Sequence, residues 1–464
     1  MDTTKRLLRL LVTCFGLSFA LQAASMPMYI DQYYDSNAVL QQGVMLPVSG
    51  NCAAPGSRVT VDFNGTSASG AAGADGRWRV EIPPQKAGGP YRMTVTDGTQ
   101  TLTATNILVG DVWLVSGQSN AGYPIERFAQ KDDWAKDADY PGIRFIVAKE
   151  DHYDWQLNAK PWQVASEKTV GQCSATGFFF AKNLQRAVNA PIGIVVAAWN
   201  GSWIRQWMPG GMHYELMLRN ELEPLIPFPI KGVVWYQGES DGMFARGYEH
   251  RFDLQAMIRD WREKWGAPEM PFLVAQLPHF GRYSLWYEIR DSQNWVARNE
   301  RNVHVVPTLD LSDLNDIHPP KKPELGKRLC DFARKYVYGE KGLHPEGPVY
   351  RGIELKGREI LVHFDVATAI RSTDGRPLNG FQVCADARGR FEKACARIVD
   401  ERTVSVSCEG MEAPVAVRYG FVNEENVNFA DAEGNAAGAF RSDDYQLPTE
   451  ADSLRQDLAR SSDE

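Results

Sequence analysis

The sequence predicts an α/β fold in which helices flank a parallel sheet, with an antiparallel β region on either side of it. In the middle of the chain, short apolar segments rich in Val, Ile and Leu alternate with amphipathic helical segments. This alternation is typical of a parallel sheet covered on both faces. Before and after it, short strands with alternating polar and apolar residues are separated by turn residues, which is typical of antiparallel sheets.

The first segment, residues 1–24, is predicted to be a secretory signal peptide. Lys5, Arg6 and Arg9 precede an apolar stretch at residues 10–21, and small residues follow it. The stretch is shorter than the roughly 20 residues that a membrane-spanning helix needs. We therefore expect a secreted or periplasmic protein that is not inserted in a membrane once this segment is removed.

Charge and cysteine content limit the partners. The 464 residues carry a formal net charge of −8, and loss of the basic leader would bring it to about −10, which disfavours nucleic acid as a partner.

Apart from Cys14 in the leader, the cysteines are irregularly spaced without a C-x-x-C motif, so no metal site and no cofactor are expected. A bridge from Cys384 to Cys395 or Cys408 and buried free thiols both fit the sequence. The oligomeric state is left open.

Residues 28–106 are predicted to form a small antiparallel β domain. The alternating segment 58–63 precedes Asn64-Gly65, and the alternating segment 77–82 follows Asp75-Gly76. Asn-Gly and Asp-Gly pairs favour two-residue hairpin turns because they tolerate positive φ. Nothing in this region suggests chemistry.

Residues 107–340 are predicted to form the α/β domain. Its apolar segments are too short for helices and indicate buried strands at 112–115, 192–198, 232–236, 271–277 and 303–308. Between two of them, one helical face carries Tyr248, Phe252, Ile258, Trp261 and Trp265. This helix is expected to end at Gly266.

The last part of the chain returns to alternation. Segments such as 359–364 and 404–407 predict a β-sandwich-like domain over residues 347–447. Residues 449–464 are charged and polar with little apolar content, which predicts a disordered tail.

Polar residues follow four of the predicted strands. In open α/β sheets, ligands bind beyond the carboxyl ends of the strands, so these residues are expected to meet at one rim. The four segments are Gly117-Gln118-Ser119-Asn120, Asn200-Gly201-Ser202, Gln237-Gly238-Glu239-Ser240 and residues 310–318.

The residue types at this rim suit acyl transfer. A serine hydroxyl needs a base to remove its proton, which assigns Ser119 as nucleophile and His318 as base. Asp316 or Asp313 would orient the imidazole, and a backbone carbonyl is a further alternative. Taken alone, Ser119 is more typical of a turn or helix cap, so the hypothesis depends on the four segments together.

An oxyanion needs fixed donors. The backbone amides of Ser119 and Gly201 are two candidates, and the side-chain amide of Gln237 or Asn120 is the third.

Three further residues near these segments are candidates for substrate binding. Trp203 offers an apolar wall for a sugar ring, and Arg205 offers a cation for a substrate carboxylate. Glu239 either contacts substrate or fixes a loop. Core packing is the more common role for such a tryptophan, and a solvated or structural role is the more common one for such an arginine.

Three motifs together resemble the sialate O-acetylesterase family of SGNH-type hydrolases: GDVWLVSGQSN at 110–120, GVVWYQGES at 232–240 and DIHP at 316–319. The likeness extends to the outer β regions and covers nearly the whole chain after the leader. It implies an SGNH-hydrolase-like fold and metal-independent removal of O-acetyl groups from sugars. The family nucleophile corresponds to Ser119 and the family histidine to His318.

Two positions depart from the wider SGNH pattern. The acid that often stands three residues before the histidine is here Asn315, and the aspartate is Asp316, two residues before. The usual oxyanion-hole asparagine is replaced by the segment Gln237-Gly238-Glu239.

The expected substrate is an O-acetylated sugar or glycan. Acetylated plant polysaccharide such as xylan or xyloglucan is the alternative to sialic acid. A non-catalytic carbohydrate-binding protein on the same scaffold is the alternative from another class.

Overall fold

A computed structural model describes residues 28–51, 54–136, 138–148, 161–210, 216–282, 285–386, 390–422 and 427–451. The predicted leader, residues 1–24, lies outside the described residues. A large mixed sheet flanked by helices, with further antiparallel sheets, confirms the predicted fold class.

The strands and helices are numbered along the chain. The strands are β1 (Tyr29–Ile30), β2 (Val39–Gln41), β3 (Leu46–Asn51), β4 (Arg58–Phe63), β5 (Thr66–Ala71), β6 (Arg77–Ile82), β7 (Gly88–Thr96), β8 (Thr101–Gly117), β9 (Asp139–Val147), β10 (Gln163–Ser166), β11 (Ile192–Ala198), β12 (Gly232–Tyr236), β13 (Phe272–Ala275), β14 (Val303–Val306), β15 (Val349–Lys356), β16 (Glu359–Asp365), β17 (Ile370–Ser372), β18 (Phe381–Cys384), β19 (Glu392–Lys393), β20 (Cys395–Asp400), β21 (Thr403–Ser407), β22 (Ala416–Tyr419), β23 (Phe429–Asp431) and β24 (Phe440–Arg441). The helices are α1 (Ser119–Gly122), α2 (Lys131–Ala135), α3 (Ala175–Val188), α4 (Glu239–Met243), α5 (His250–Lys264), α6 (Trp286–Asn299) and α7 (Lys322–Tyr336).

The central sheet has the strand order β10-β9-β11-β8-β12-β13-β14. Its strands run parallel from β9 to β14, and β10 is an antiparallel edge. All five predicted strands are present: β11 and β12 have the predicted bounds, β8 is much longer, and β13 and β14 are shorter. The carboxyl ends of β8, β11 and β12 are therefore neighbours, which positions the site.

Strand β8 belongs to two parts of the molecule. Its first half pairs with β7 and β2, and its second half pairs with β11 and β12. The predicted boundary between residues 106 and 107 falls inside this strand, and one apolar cluster runs from Met28 to Val303 across it. The N-terminal β region and one face of the central sheet thus share a core.

The two predicted hairpins have different outcomes. Asn64 and Gly65, with φ of 47° and 78°, join the antiparallel strands β4 and β5, which confirms the first hairpin. The second hairpin prediction is wrong, since Gly76 lies in a tight turn but β5 pairs with β4 while β6 pairs with β3. Turn residues fix a local reversal of the chain, whereas the pairing partner is decided by packing of the two sheets.

The predicted helix is α5, and Gly266 follows it with a φ of 59°. Ile258 and Trp261 are fully buried, but Phe252 is 47% exposed and does not belong to the buried face.

The C-terminal region contains two four-stranded antiparallel sheets, β15-β16-β21-β20 and β19-β18-β22-β24. Val362 and Val404 from one sheet share an apolar cluster with Phe381 and Tyr419 from the other, as in a sandwich.

The cysteines Cys384, Cys395 and Cys408 carry free thiols, so the predicted bridge is wrong. Cys384 is buried, as the alternative predicted, but Cys395 is exposed and Cys408 is half-buried. Among the helices that the structure describes, none has the length and apolar character needed to cross a bilayer.

The predicted disordered tail is wrong at its first residue. Thr449 is buried, accepts a hydrogen bond from the backbone N–H of Tyr248 at 2.8 Å, and bonds the carboxylate of Glu288. This polar segment is ordered because the carboxylate of Glu288 needs hydrogen-bond donors, and Thr449 supplies them. Residues 452–464 lie outside the described part of the chain.

Candidate active site

Ser119 lies where β8 turns into helix α1. Gly117 ends the strand with a φ of 129°, and a Cβ there would lie 2.2 Å from the carbonyl oxygen of Tyr236. Only glycine therefore fits this position. The turn places Ser119, which is 7% exposed, at the carboxyl end of the sheet.

His318 reaches the serine from a loop after β14. Its Nε2 lies 2.8 Å from Ser119 Oγ, although the two residues are 199 positions apart in the chain. The Tyr123 ring stacks on the imidazole with centroids 4.1 Å apart, which restricts its orientation. This is the hydrogen-bonded pair that nucleophilic catalysis by serine requires.

The two candidate orienting acids have different positions. Asp316 Oδ1 accepts the backbone N–H of His318 at 2.8 Å and lies 3.9 Å from His318 Nδ1, beyond hydrogen-bond distance. Asp313 Oδ1 accepts the backbone N–H groups of Asn315 and Asp316, at 2.8 and 3.2 Å. Asp316 is therefore the carboxylate beside the imidazole, while Asp313 shapes the turn.

The environment of His318 lowers the pKa of its imidazole. Burial is the largest cause, the charge of Lys322 adds to it, and Asp316 opposes it. A lowered pKa keeps the ring neutral near neutral pH, which is the form that accepts a proton from serine.

The glycine predicted as an oxyanion donor lies at the same rim. Ala198 at the end of β11 pairs with Gly117, and the backbone N–H of Trp199 donates to Gly117 O at 3.0 Å. Gly201 follows with a φ of 71° and open space where a side chain would be. Its carbonyl accepts the hydroxyl of Ser240 at 3.0 Å, which fixes the loop to helix α4.

Asn120 does not have the predicted role of oxyanion donor, because both of its amide hydrogens have acceptors. Its Nδ2 donates to Glu239 Oε1 at 2.7 Å and to the carbonyl of Ile317 at 2.9 Å. Its Oδ1 accepts from Lys322 Nζ at 2.6 Å. The side chain instead joins the segments that carry the serine, the histidine and helix α4.

Gln237 is likewise not free to donate to an oxyanion. Its fully buried Nε2 contacts Asp241 Oδ2 at 2.5 Å and the carbonyl of Ser202 at 3.1 Å. Gln237 therefore holds the loop that carries Gly201 and Ser202, which we call the Gly201 loop, against α4. The sequence predicts the position of Gln237 after the end of a strand. In the structure its side-chain amide is buried and bonds protein groups.

Glu239 and Lys322 form a buried pair of ionisable groups bridged by Asn120. Burial raises the pKa of Glu239 to about 7 and lowers the pKa of Lys322 to about 7. Glu239 is 0% exposed, so the prediction of a substrate contact is wrong in this arrangement and the loop-fixing alternative holds. Lys322 was missed because a Lys-Lys pair at a helix start is more typical of a solvated surface.

Arg205 does not present a free cation. Its Nε donates to Asp253 Oδ2 at 2.9 Å, and Glu249 lies 3.7 Å from its Nη2. Trp203 is partly exposed, with its ring 4.7 Å from that of Phe244.

A cavity of about 410 Å³ lies next to the end of α1 and the end of β11, where Gly122 and Ala198 line it. Tyr123 and Asn200 line it together with Arg127, an exposed residue whose guanidinium lies 5.8 Å from the Tyr123 ring. Within the described ranges, no group of three or more His, Cys, Asp or Glu side chains is arranged to hold a metal ion.

Comparisons with known proteins agree with this geometry. A family model described as a carbohydrate esterase, sialic acid-specific acetylesterase, matches residues 109–335. The sialate O-acetylesterase of Homo sapiens is 26% identical over 402 residues, covering 74% of this chain and 76% of that protein. The protein of the same name from Mus musculus is 24% identical over 427 residues, covering 74% and 79%.

A solved structure extends the likeness to the whole molecule. The structure of a carbohydrate acetylesterase from Xanthomonas citri is 31% identical, with a TM-score of 0.84, covering 90% of this chain and 100% of that chain. The parallel sheet and the serine–histidine contact at its rim define a carboxylic ester hydrolase with an SGNH-like fold. The chain belongs to the sialate O-acetylesterase family of carbohydrate esterases.

Proposed function

We propose that this protein removes O-acetyl groups from carbohydrates through an acyl-enzyme on Ser119. The observation that carries the proposal is the 2.8 Å contact between Ser119 Oγ and His318 Nε2 at the carboxyl end of the sheet. Membership of the family and the likeness to the Xanthomonas citri acetylesterase support the acetylated carbohydrate as substrate.

In the first step, Ser119 Oγ attacks the acetyl carbonyl while His318 Nε2 takes the hydroxyl proton. The backbone N–H groups of Ser119 and Gly201 are the proposed donors to the oxyanion, since the amides of Asn120 and Gln237 are engaged elsewhere. The tetrahedral intermediate collapses, the sugar hydroxyl leaves with the proton from His318, and the acetyl group stays on Ser119.

In the second step, a water molecule gives a proton to His318 and attacks the acetyl-serine. Collapse of the second intermediate returns the proton from His318 to Ser119 Oγ and releases acetic acid, which ionises in water to acetate. Asp316 acts by holding the backbone of His318 and by stabilising the imidazolium from 3.9 Å.

The proposed substrate is an O-acetylated glycan, and two classes are distinguished by charge. The curated relatives are named for sialate, which carries a carboxylate. Pairing of Arg205 with Asp253 and Glu249 favours the second class, a neutral polysaccharide such as acetylated xylan or xyloglucan. The predicted leader supports a secreted or periplasmic location for either substrate.

The test is hydrolysis of an aryl acetate by the wild type and by Ser119→Ala. We expect kcat to fall by about 10³-fold or more, since loss of the nucleophile removes the acyl-enzyme route. Ser67→Ala, an exposed serine in β5, is the control and should retain the wild-type rate. Equal rates for Ser119→Ala and the wild type would favour the non-catalytic carbohydrate-binding protein instead.

A further inference from the structure

Two exposed aromatic rings lie together beyond the Gly201 loop. Phe244 is 60% exposed, and its ring centroid is 4.7 Å from that of the partly exposed Trp203, at an angle of 37°. We call these two rings the Trp203–Phe244 platform. Trp207, four residues further on, is fully buried instead.

Hydrogen bonds link the segments that carry the platform to the segment that carries Ser119. Trp203 follows Gly201 by two residues, and the next backbone N–H, that of Ile204, donates to Asp241 Oδ2 on helix α4 at 3.1 Å. The same helix begins at Glu239, which bonds Asn120, the neighbour of Ser119. Phe244 follows the end of this helix, roughly 8 Å along its axis from Glu239.

The surroundings of the platform suit an uncharged ligand. Arg205 and Arg246 both contact the carboxylates of Glu249 and Asp253, with the shortest distance 2.5 Å between Arg246 Nη2 and Glu249. The two cations and the two anions balance each other. What the platform offers is therefore apolar ring surface, and the two arginines near it in the chain are paired with carboxylates.

Large apolar side chains exposed beside a site mark ligand-binding surfaces. The C–H faces of pyranose rings are apolar, so they gain by covering aromatic rings while their hydroxyls stay in water. We propose that the Trp203–Phe244 platform is a sugar subsite that binds a neutral pyranose of the substrate chain, next to the acetylated residue. The substrate is then an internal residue of a neutral oligosaccharide and not a single acetylated sugar.

The cavity that Asn200 lines agrees with an extended substrate. Asn200 lines that cavity, Gly201 follows at the rim, and Trp203 begins the platform. A chain of sugars crossing Ser119 would have apolar and polar surface on both sides of the reacting ester. The subsite rests on the proposed esterase function for its place in the reaction, but its sugar binding is measurable without catalysis.

The first experiment compares two substrates of the same enzyme. For Phe244→Ala and Trp203→Ala, we expect the ratio of kcat/KM on acetylated xylo-oligosaccharide to kcat/KM on aryl acetate to fall by about tenfold, mainly through KM. Phe244→Trp should restore the ratio. Phe252→Ala, which removes an aromatic ring that is 47% exposed on α5, is the control and should leave the ratio unchanged.

The second experiment separates the subsite from the chemistry. In Ser119→Ala, the Kd for deacetylated xylohexaose should rise by about tenfold when Phe244→Ala is added, measured by calorimetry. An unchanged ratio together with an unchanged Kd would overturn the subsite even if the esterase is active. A wild type that hydrolyses neither substrate but binds xylohexaose through Phe244 would overturn the esterase and keep the sugar site.

Discussion

Asn120 and Lys322 hold the serine and histidine segments in register. The ammonium of Lys322 is fully buried and bonds Asn120 Oδ1 at 2.6 Å, while Asn120 bonds the carbonyl of Ile317 and Glu239. A buried charge is costly unless it is paired. The opposite charges of Lys322 and Glu239, which Asn120 bridges, reduce that cost. The bond from Asn120 also fixes Ile317, the residue before His318.

Lys322→Met should shift the acid limb of the kcat/KM profile to higher pH. The base is active when neutral, so activity is lost as pH falls through the pKa of His318, which lies below its usual 6.5. Lys322 is protonated in that range because its own pKa is about 7, and its charge disfavours the imidazolium. Removing this charge raises the pKa of His318.

Lys321→Met is the control for this shift, since Lys321 is exposed and donates to the carbonyl of Asp310. An acid limb at the same pH in Lys322→Met and the wild type would contradict the electrostatic role of Lys322.

Asp316→Asn should lower turnover more than Asp313→Asn. Asp316 raises the pKa of His318 and holds its backbone, so its loss destabilises the imidazolium and moves the acid limb to lower pH. We expect a fall in kcat of roughly 10 to 100-fold, a modest effect for a triad position because Oδ1 is 3.9 Å from Nδ1. A larger fall for Asp313→Asn, measured by the same pH profiles, would reassign the orienting role.

At the scale of elements, the turn from β8 into α1 depends on Gly117. Any Cβ there meets the carbonyl of Tyr236 on the neighbouring strand β12 at 2.2 Å, in addition to the strain of φ at 129°. Because β8 and β12 are both central in the sheet, neither can move aside easily.

Gly117→Ala should therefore unfold at a lower temperature and lose most esterase activity. The positive φ alone costs about 1–2 kcal/mol, and the steric overlap adds to it. Gly43→Ala is the control for the cost of a positive φ without steric overlap, since Gly43 has a φ of 74° with nothing within 4 Å of the added Cβ. Equal falls in Tm for the two variants would show that the overlap at Tyr236 is relieved without cost.

The sequence predicts the bounds of a strand best where both faces of that strand are buried. β11 and β12 read as continuous apolar runs, and their predicted bounds agree with the structure. The edge strand β10 and its neighbour β9 were not predicted, since β9 begins with the segment Asp139-Tyr140-Pro141-Gly142, which is more typical of a turn. Their strand conformation comes from pairing with each other and with β11.

At the scale of the whole molecule, Arg290 on α6 joins the central sheet to the C-terminal sheets. Its guanidinium is fully buried, and Nε and Nη2 donate to the carbonyl of Gly420 at 3.0 and 2.8 Å. Nη1 donates to the carbonyl of Pro278 at 3.1 Å. Burial lowers the pKa of Arg290 to about 9, so the group stays charged at neutral pH.

Arg290→Met should lower the Tm by several degrees, because each buried carbonyl left without a donor costs about 1–3 kcal/mol. Arg259→Met removes an exposed arginine from Glu300, which keeps its hydrogen bond from Gln255, and should change the Tm little. Thermal unfolding followed by circular dichroism compares the two. Equal small changes would mean that the two regions are held together by apolar packing alone.

The sequence by itself determined the parallel sheet, five of its strands and the segments that carry Ser119, Gly201 and His318. Hydrophobic periodicity and strand-end motifs are local properties, and the carboxyl ends of parallel strands must meet. Only the tertiary structure decided that Asn120 and Gln237 turn inward, that Lys322 is buried and that Arg205 is paired. The partners of a polar side chain lie far away in the chain, and burial fixes which of them it meets.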